Sequence, residues 1–221
     1  MAEPLPSSLA QPHGALSAIV GFILELDKLK GITRKTRPLG LERYENSAEH
    51  SWQIALLAAS LVEHAQPASG NAATLDLDRV IRMLLVHDIG EIDTGDTMIY
   101  TKGGWEERKA AEAAAARRIF GLLPGPQGAE FLALWQEFEV ATSPEARFAN
   151  AVDRAMPVLL NLANEGQSWR ENGISHARVI GRVAAPIRDG CPALWEYLEV
   201  RLEEERRRGW FGLPHSLSEP D

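Results

Sequence analysis

Apolar residues return at the helical period along almost the whole chain. Leu16, Ile19, Val20, Ile23 and Leu24 fall at i, i+3, i+4, i+7 and i+8, which predicts a helix over about 15–30 that stops at Gly31. A second helix starts at Asn46, where Glu49 completes a capping box, and Trp52, Ile54, Ala55, Leu57, Ala58 and Leu61 carry it onward. His50 falls in its first turn. Either Asp76 or Asp78 opens a third helix, with Val80, Ile81, Leu84 and Leu85 as its buried stripe and Gly90 as its end. Residues 91–104 turn polar and rich in Gly, Thr and Asp, the composition of a loop. Further helices follow over about 105–121, 126–140, 144–164, 175–188 and 192–208. Pro157, inside one of them, predicts a kink that frees the carbonyl of Asp153. No alternating run of β-branched residues lies between hairpin turns, so the fold class is all-α.

The pattern defines one helical domain over 14–210, with a Pro- and Ser-rich lead at 1–13 and a flexible tail at 211–221. A chain of 221 residues can bury a sizeable core without disulfides. Composition then removes classes of function. The 23 Lys and Arg stand against 31 Asp and Glu, and a net charge of −8 argues against wrapping a nucleic acid polymer. The single cysteine, Cys191, excludes a disulfide framework and a cysteine-rich zinc site, and fits a reducing, cytoplasmic setting. The first residues lack the basic-then-apolar order of a secretory signal, and no uncharged apolar stretch reaches the ~18 residues of a membrane span.

Four side chains sit uneasily in this pattern: His50, His87, Asp88 and Asp153. His87 and Asp88 follow the apolar run MLLV, and Asp153 lies among Phe148, Val152, Met156 and Leu159. A buried carboxylate is costly unless it is paired or bound to a cation. A lone histidine such as His50 is more often a hydrogen-bonded core residue than a ligand. One divalent ion held by all four would satisfy the groups together. Two imidazoles and two carboxylates suit Mn²⁺, Fe²⁺, Co²⁺, Ni²⁺ or Zn²⁺ rather than Ca²⁺, with Mg²⁺ left open. Open positions on such an ion activate water and polarise a phosphoryl oxygen.

The order of these residues carries a resemblance. His87-Asp88 follows 37 residues after His50, and Asp153 follows 65 residues after Asp88, an arrangement that resembles the HD-domain metal-dependent phosphohydrolase superfamily. The stretches ENSAEHSWQIAL, LLVHDIGEIDTGD and ANAVDRAMPVL resemble the subgroup of bacterial 5′-deoxynucleotidases and HD-domain-containing protein 2. The resemblance implies a compact multi-helix HD domain with a helical C-terminal extension and one divalent ion on His50, His87, Asp88 and Asp153. It also implies hydrolysis of a phosphomonoester, a (deoxy)nucleoside 5′-monophosphate, to nucleoside and phosphate.

Residue by residue, Glu91 matches the family's acid/base glutamate. Its spacing, i+4 from His87 and i+3 from Asp88, puts it on the same face if the helix continues. Asp96 matches an aspartate near the scissile phosphate and a sugar hydroxyl, and is equally a residue type that caps loops. Arg34 aligns with an arginine that holds the substrate phosphate, although Lys35, Arg37 and Arg43 in the same loop also offer themselves. Lys102 is a further phosphate-contact candidate. The family arginine is followed by a sugar-recognising tryptophan, whereas this chain has Lys35, so deoxyribose selectivity is not implied. Trp105 reads either as a base-stacking ring or as helix-start packing. Family members form homodimers, for which the Ala-rich helix 104–121 offers a close-packed face. No histidine lies between Asp88 and Asp153, which favours a single ion. Two alternatives stay open: a hydrolase of another phosphorylated metabolite or signalling nucleotide, and a non-catalytic metal-stabilised nucleotide-binding module.

Overall fold

The structure is a computed structural model, and it describes residues 14–65 and 75–212. These residues form α1 (Gly14–Leu26), α2 (Ser47–Leu61), α3 (Leu77–Val86), α4 (Glu91–Thr94), α5 (Trp105–Phe120), α6 (Gln127–Val140), α7 (Pro144–Ala163), α8 (Gln167–Glu171), α9 (His176–Gly190) and α10 (Pro192–Arg208). Short 3₁₀ turns at Asp27–Gly31 and Val62–His64 extend α1 and α2. Among the described residues the extended pairing is a single antiparallel bridge between Thr33 and Asn46. No described helix is long and apolar enough to cross a membrane.

Helix starts fall where their capping chemistry directs them. The Asn46–Glu49 box forms in full, Ser143 caps α7 with Pro144 in the first turn, and Ser175 caps α9. Asp76, not Asp78, caps α3 by accepting from the Arg79 N–H at 3.0 Å. The axis of the fold is α7, which packs against α2, α3, α6, α9 and α10 and runs unbroken through Pro157. Small residues allow that closeness. A Cβ on Gly190 of α9 would sit 2.1 Å from the Arg147 carbonyl oxygen of α7.

Several faces differ from the periodic reading. The stripe on α1 is largely exposed, with Leu16 at 58 % and Ile23 at 57 %, while Phe22 is buried against Phe120 and Phe131. On α3 the buried positions are Val80, Met83, Leu84 and Val86, and Leu85 points outward. Spacing of i, i+3, i+4 and i+7 from Val80 leads directly to His87, so that histidine continues the buried stripe. On α2 the inward face is Ser47, His50, Ser51, Ile54 and Ala58, with Trp52 in solvent. Polar residues are tolerated on the buried face there because each has a partner: Ser47 in Glu91, His50 in Asp153, and Ser51 in the Ser47 carbonyl of its own helix.

The expected loop at 91–104 begins with the helical turn α4, and Gly95, at φ +77°, ends that turn. Gly90 has ordinary helical angles, and its glycine serves a different purpose from a stop. A Cβ there would lie 2.9 Å from the Glu112 carbonyl oxygen, so it permits the close approach of α5. Periodicity did not resolve α8 from its neighbours. Beyond α10, Phe211 stacks on Trp169 with centroids 4.6 Å apart, and the Gly212 N–H donates to Ile174 O at 3.0 Å. The packed chain thus runs two residues into the segment read as a tail, while residues 1–13 and 213–221 lie outside the described part.

Two apolar clusters meet at α3. The larger gathers α2, α3, α7, α9 and α10 and includes Leu84; the smaller includes Phe22, Val86, Ile89, Phe120 and Trp135. His87 and Asp88 stand at the seam between them.

Candidate metal centre and cleft

Three helices bring the polar cluster together. From α2, fully buried His50 places Nε2 3.0 Å from Asp153 Oδ1 on α7. After α3, His87 places Nε2 3.6 Å from the same oxygen and 3.0 Å from Asp88 Oδ1. Ligand-type atoms of His50, His87 and Asp153 all lie within 4.8 Å of one another. Two imidazole nitrogens and a carboxylate oxygen converging in a buried spot fit a borderline divalent ion. His87 sharpens the fit. Its Nδ1 is 2.8 Å from Leu84 O, while its buried Nε2, close to both carboxylates, makes no well-aligned hydrogen bond among the described residues. Asp88 adjoins this triad through its Oδ1 at His87 Nε2, and its Oδ2 accepts from Arg34 Nη1 at 2.9 Å.

The loop carrying Arg34 is held by backbone pairing. The Arg34 N–H donates to Glu45 O at 2.9 Å, Glu45 N–H to Thr36 O at 2.9 Å, and Ser47 N–H to Ile32 O at 3.0 Å. This register decides among the cations of the loop. Arg34 faces the cluster, with Nη1 3.9 Å from Asp96 Oδ1, whereas Arg37 pairs with Glu171 and Arg43 with Glu49. Glu49 therefore serves the cap and Arg43. Lys35 lines the cleft, but Lys102 is exposed and lines neither of the two openings described below.

Electrostatics separate the carboxyl groups. Burial, reinforced by Asp88, pushes Glu91 up to about 9, although Ser47 Oγ donates to its Oε2 at 2.6 Å. Asp96 is also raised by burial, with Arg34 opposing. Burial would raise Asp88 too, but His87 and Arg34 bring it down to about 2. Asp153 lies well below its usual range because the two histidines outweigh its burial. His50 is pushed down to about 4 by burial and by Arg34, which keeps it neutral at pH 7. His87 is raised well above its ordinary value, since Asp88 and Asp153 overcome its burial.

Two openings meet at this centre and share Arg34, Asp96, Thr97, Ile99, Asp153 and Arg154. One, of about 600 Å³, has apolar walls that include Ile99, Tyr100, Val158 and Trp169. The other, of about 720 Å³, is more polar and adds Glu91, Glu112, Lys109 and Trp105. Burial and neighbouring Glu139 push Glu112 up to about 7. Trp105 reaches this wall while its indole N–H donates to Thr101 O at 3.2 Å. Sequence reasoning missed Glu45, Ser47, Glu112 and Arg154 as parts of the site. Arg154 had a signal, because it follows Asp153 in the VDR stretch; Glu112 lay in an Ala-rich helix with none.

An all-α domain with a buried His/His/Asp centre, flanked by a second aspartate and an arginine, has the make-up of an HD domain. The model of the HD domain family matches residues 26–195, and the chain belongs to that family. Among its relatives, the human 5′-deoxynucleotidase HDDC2 is 29 % identical over 148 residues, covering 66 % of this chain and 68 % of that one. The Dictyostelium discoideum 5′-deoxynucleotidase HDDC2 is 30 % identical over 169 residues, covering 76 % and 87 %. A crystal structure of a predicted metal-dependent phosphohydrolase from Magnetospirillum magnetotacticum MS-1 superposes with a TM-score of 0.82 at 41 % identity, covering 91 % of this chain and all of that one.

Proposed function

We infer that this protein is a metal-dependent phosphohydrolase that cleaves nucleoside 5′-monophosphates, deoxy forms included, to nucleoside and inorganic phosphate. The convergence of His50, His87 and Asp153 beside Arg34 carries the reading. In it, those three side chains and Asp88 would hold one divalent ion. When bound, the ion supplies a polarised phosphoryl oxygen and an acidified water. Arg34 neutralises charge on the phosphoryl group through its planar guanidinium.

Glu91 manages the proton. Hydrolysis forms one bond from water oxygen to phosphorus and breaks the bond to the 5′-oxygen, which must gain a proton. A carboxyl whose value lies far above the ordinary range suits that transfer, and added positive charge at the centre draws it towards neutrality. Asp96 accepts from a sugar hydroxyl, and the apolar opening near Tyr100 and Trp169 receives the nucleoside. Lys35 leaves room for ribose as well as deoxyribose.

Phosphate release from ribo- and deoxynucleoside 5′-monophosphates, with Mn²⁺, Co²⁺ or Mg²⁺ restored after chelation, tests the reading. Release from at least one of them is expected. No release with metal demonstrably bound would favour a binding module instead, whereas equal rates would remove only sugar selectivity. In the same reading two copies pair, through the exposed alanines of α5 or through the apolar stripe of α1, which offers the larger exposed side chains. The buried, free Cys191 suits a reducing cytoplasm.

A further inference from the structure

Glu45 has no part in the roles above, yet it is 1 % exposed and lies against two of the residues that do. Three donors from separate residues surround its Oε2: Thr36 Oγ1 at 3.0 Å, Arg34 Nε at 3.7 Å and His50 Nδ1 at 3.8 Å. We propose that Glu45 is a positioning residue that orients both His50 and Arg34, so that one buried carboxylate sets the geometry of cation retention and of phosphate binding. The proposal rests on the reading of His50 as a metal ligand and Arg34 as the phosphate contact.

The two histidines make the argument by contrast. A neutral imidazole offers Nε2 to a cation only when the proton sits on Nδ1, and a buried N–H needs an acceptor. His87 has that acceptor in Leu84 O. His50 Nδ1 is buried without a hydrogen-bond partner among the described residues, and Glu45 Oε2 is the carboxylate oxygen beside it at 3.8 Å. Thr36 anchors the oxygen from the other side. On Arg34 the labour divides within one guanidinium, since Nη1 meets Asp88 while Nε faces Glu45. Glu45 therefore fixes the roll of the plane that Arg34 presents to a phosphate. Backbone pairing between 34–36 and Glu45 holds the residues in register.

Calorimetric titration of Mn²⁺ into the metal-free protein tests this without relying on turnover. Glu45→Met keeps the volume and removes both charge and acceptor. It should weaken Mn²⁺ binding about 10- to 100-fold, the range for loss of an outer partner of a metal-bound histidine. Its metal-free melting temperature should fall, because the buried Thr36 hydroxyl and Arg34 Nε lose their partner, so the titration is made at a temperature where both proteins are folded. It should also weaken inhibition by inorganic phosphate, and this second effect should vanish in an Arg34→Ala background while the loss of Mn²⁺ affinity persists. Wild-type Mn²⁺ affinity in Glu45→Met would overturn the proposal. Should that variant fail to fold, Thr36→Val, which removes the donor anchoring the same oxygen, should weaken Mn²⁺ binding several-fold, and no change would overturn it equally. A wild-type protein that binds no Mn²⁺ would instead defeat the underlying reading of His50.

Discussion

α7 and α1 are both rich in apolar residues, and they live in opposite surroundings. α7 is enclosed by α2, α3, α6, α8, α9 and α10, while α1 leans mainly on α5 and leaves Leu16 and Ile23 more than half exposed. Enclosure changes what a polar residue can do. Asp153 on α7 is 8 % exposed, and in so dry a place its charge acts strongly on His50 and His87, each fixed by its own helix. The apolar side chains of α1 gain little from their own fold and remain available for association. The buried helix thus carries chemistry because its packing fixes a few charges, and the exposed one carries surface.

The comparison can be broken most severely at its charged point. Asp153→Ala should lose divalent-ion binding by more than the ~100-fold typical of outer partners, and phosphate release should fall with it. Calorimetry with Mn²⁺ checks the first and a phosphate assay the second; unchanged affinity would remove α7 from the centre. Next, Glu91→Gln should keep the ion and lower turnover about 10²- to 10⁴-fold. The same variant has a signature in stability. A carboxyl raised to about 9 contributes stability that is present below its unfolded value and is lost as pH rises towards 9. Metal-free Glu91→Gln should therefore overtake the wild type in urea unfolding as pH goes from 5 to 8, by about 1 kcal/mol or more. A constant gap across that range would show that Glu91 is not protonated in the fold.

Truncation sharpens the contrast in packing. Phe148→Ala on α7, where the ring is 1 % exposed, should cost about 3–5 kcal/mol in urea unfolding. Ile23→Ala on α1 should cost under about 0.5 kcal/mol in the isolated protomer. Similar losses would mean that α1 is as enclosed as α7. Ile23→Asp should leave turnover of the protomer intact and abolish dimers in sedimentation, the smallest change to the site and the most direct check on the use of the α1 face.

Much of the fold was legible because capping and periodicity are local. Asn46, Ser143 and Ser175 cap as their side chains dictate, the apolar period marks α1, α2 and α3, and propensity marks α5. The centre was legible for another reason. A charge in an apolar run is costly, so Asp153 and the His87-Asp88 pair signalled themselves before any contact was known. The periodic reading failed where a polar residue belongs to the buried face, as with Ser47 and Ser51 on α2, or where an apolar face has no cover, as on α1. Spacing identifies a stripe, but whether anything lies over it depends on distant parts of the chain. Glu45 escaped notice because a loop glutamate beside a tyrosine has no local mark of burial.

The linear order of residues determined the helical class, the points where most helices start, and the identity of the few ionisable groups that no apolar segment would hold without a partner. Those are consequences of hydrogen bonding and solvation over a turn or two of chain. Tertiary structure alone decided which of several cations faces the centre, that Asp88 stands beside the triad with Arg34, and that three donors surround Glu45. Such choices depend on distances between groups far apart in sequence, 103 residues for His50 and Asp153 and 134 for Arg37 and Glu171, and electrostatic strength is set by the space and dielectric between them once the chain has closed.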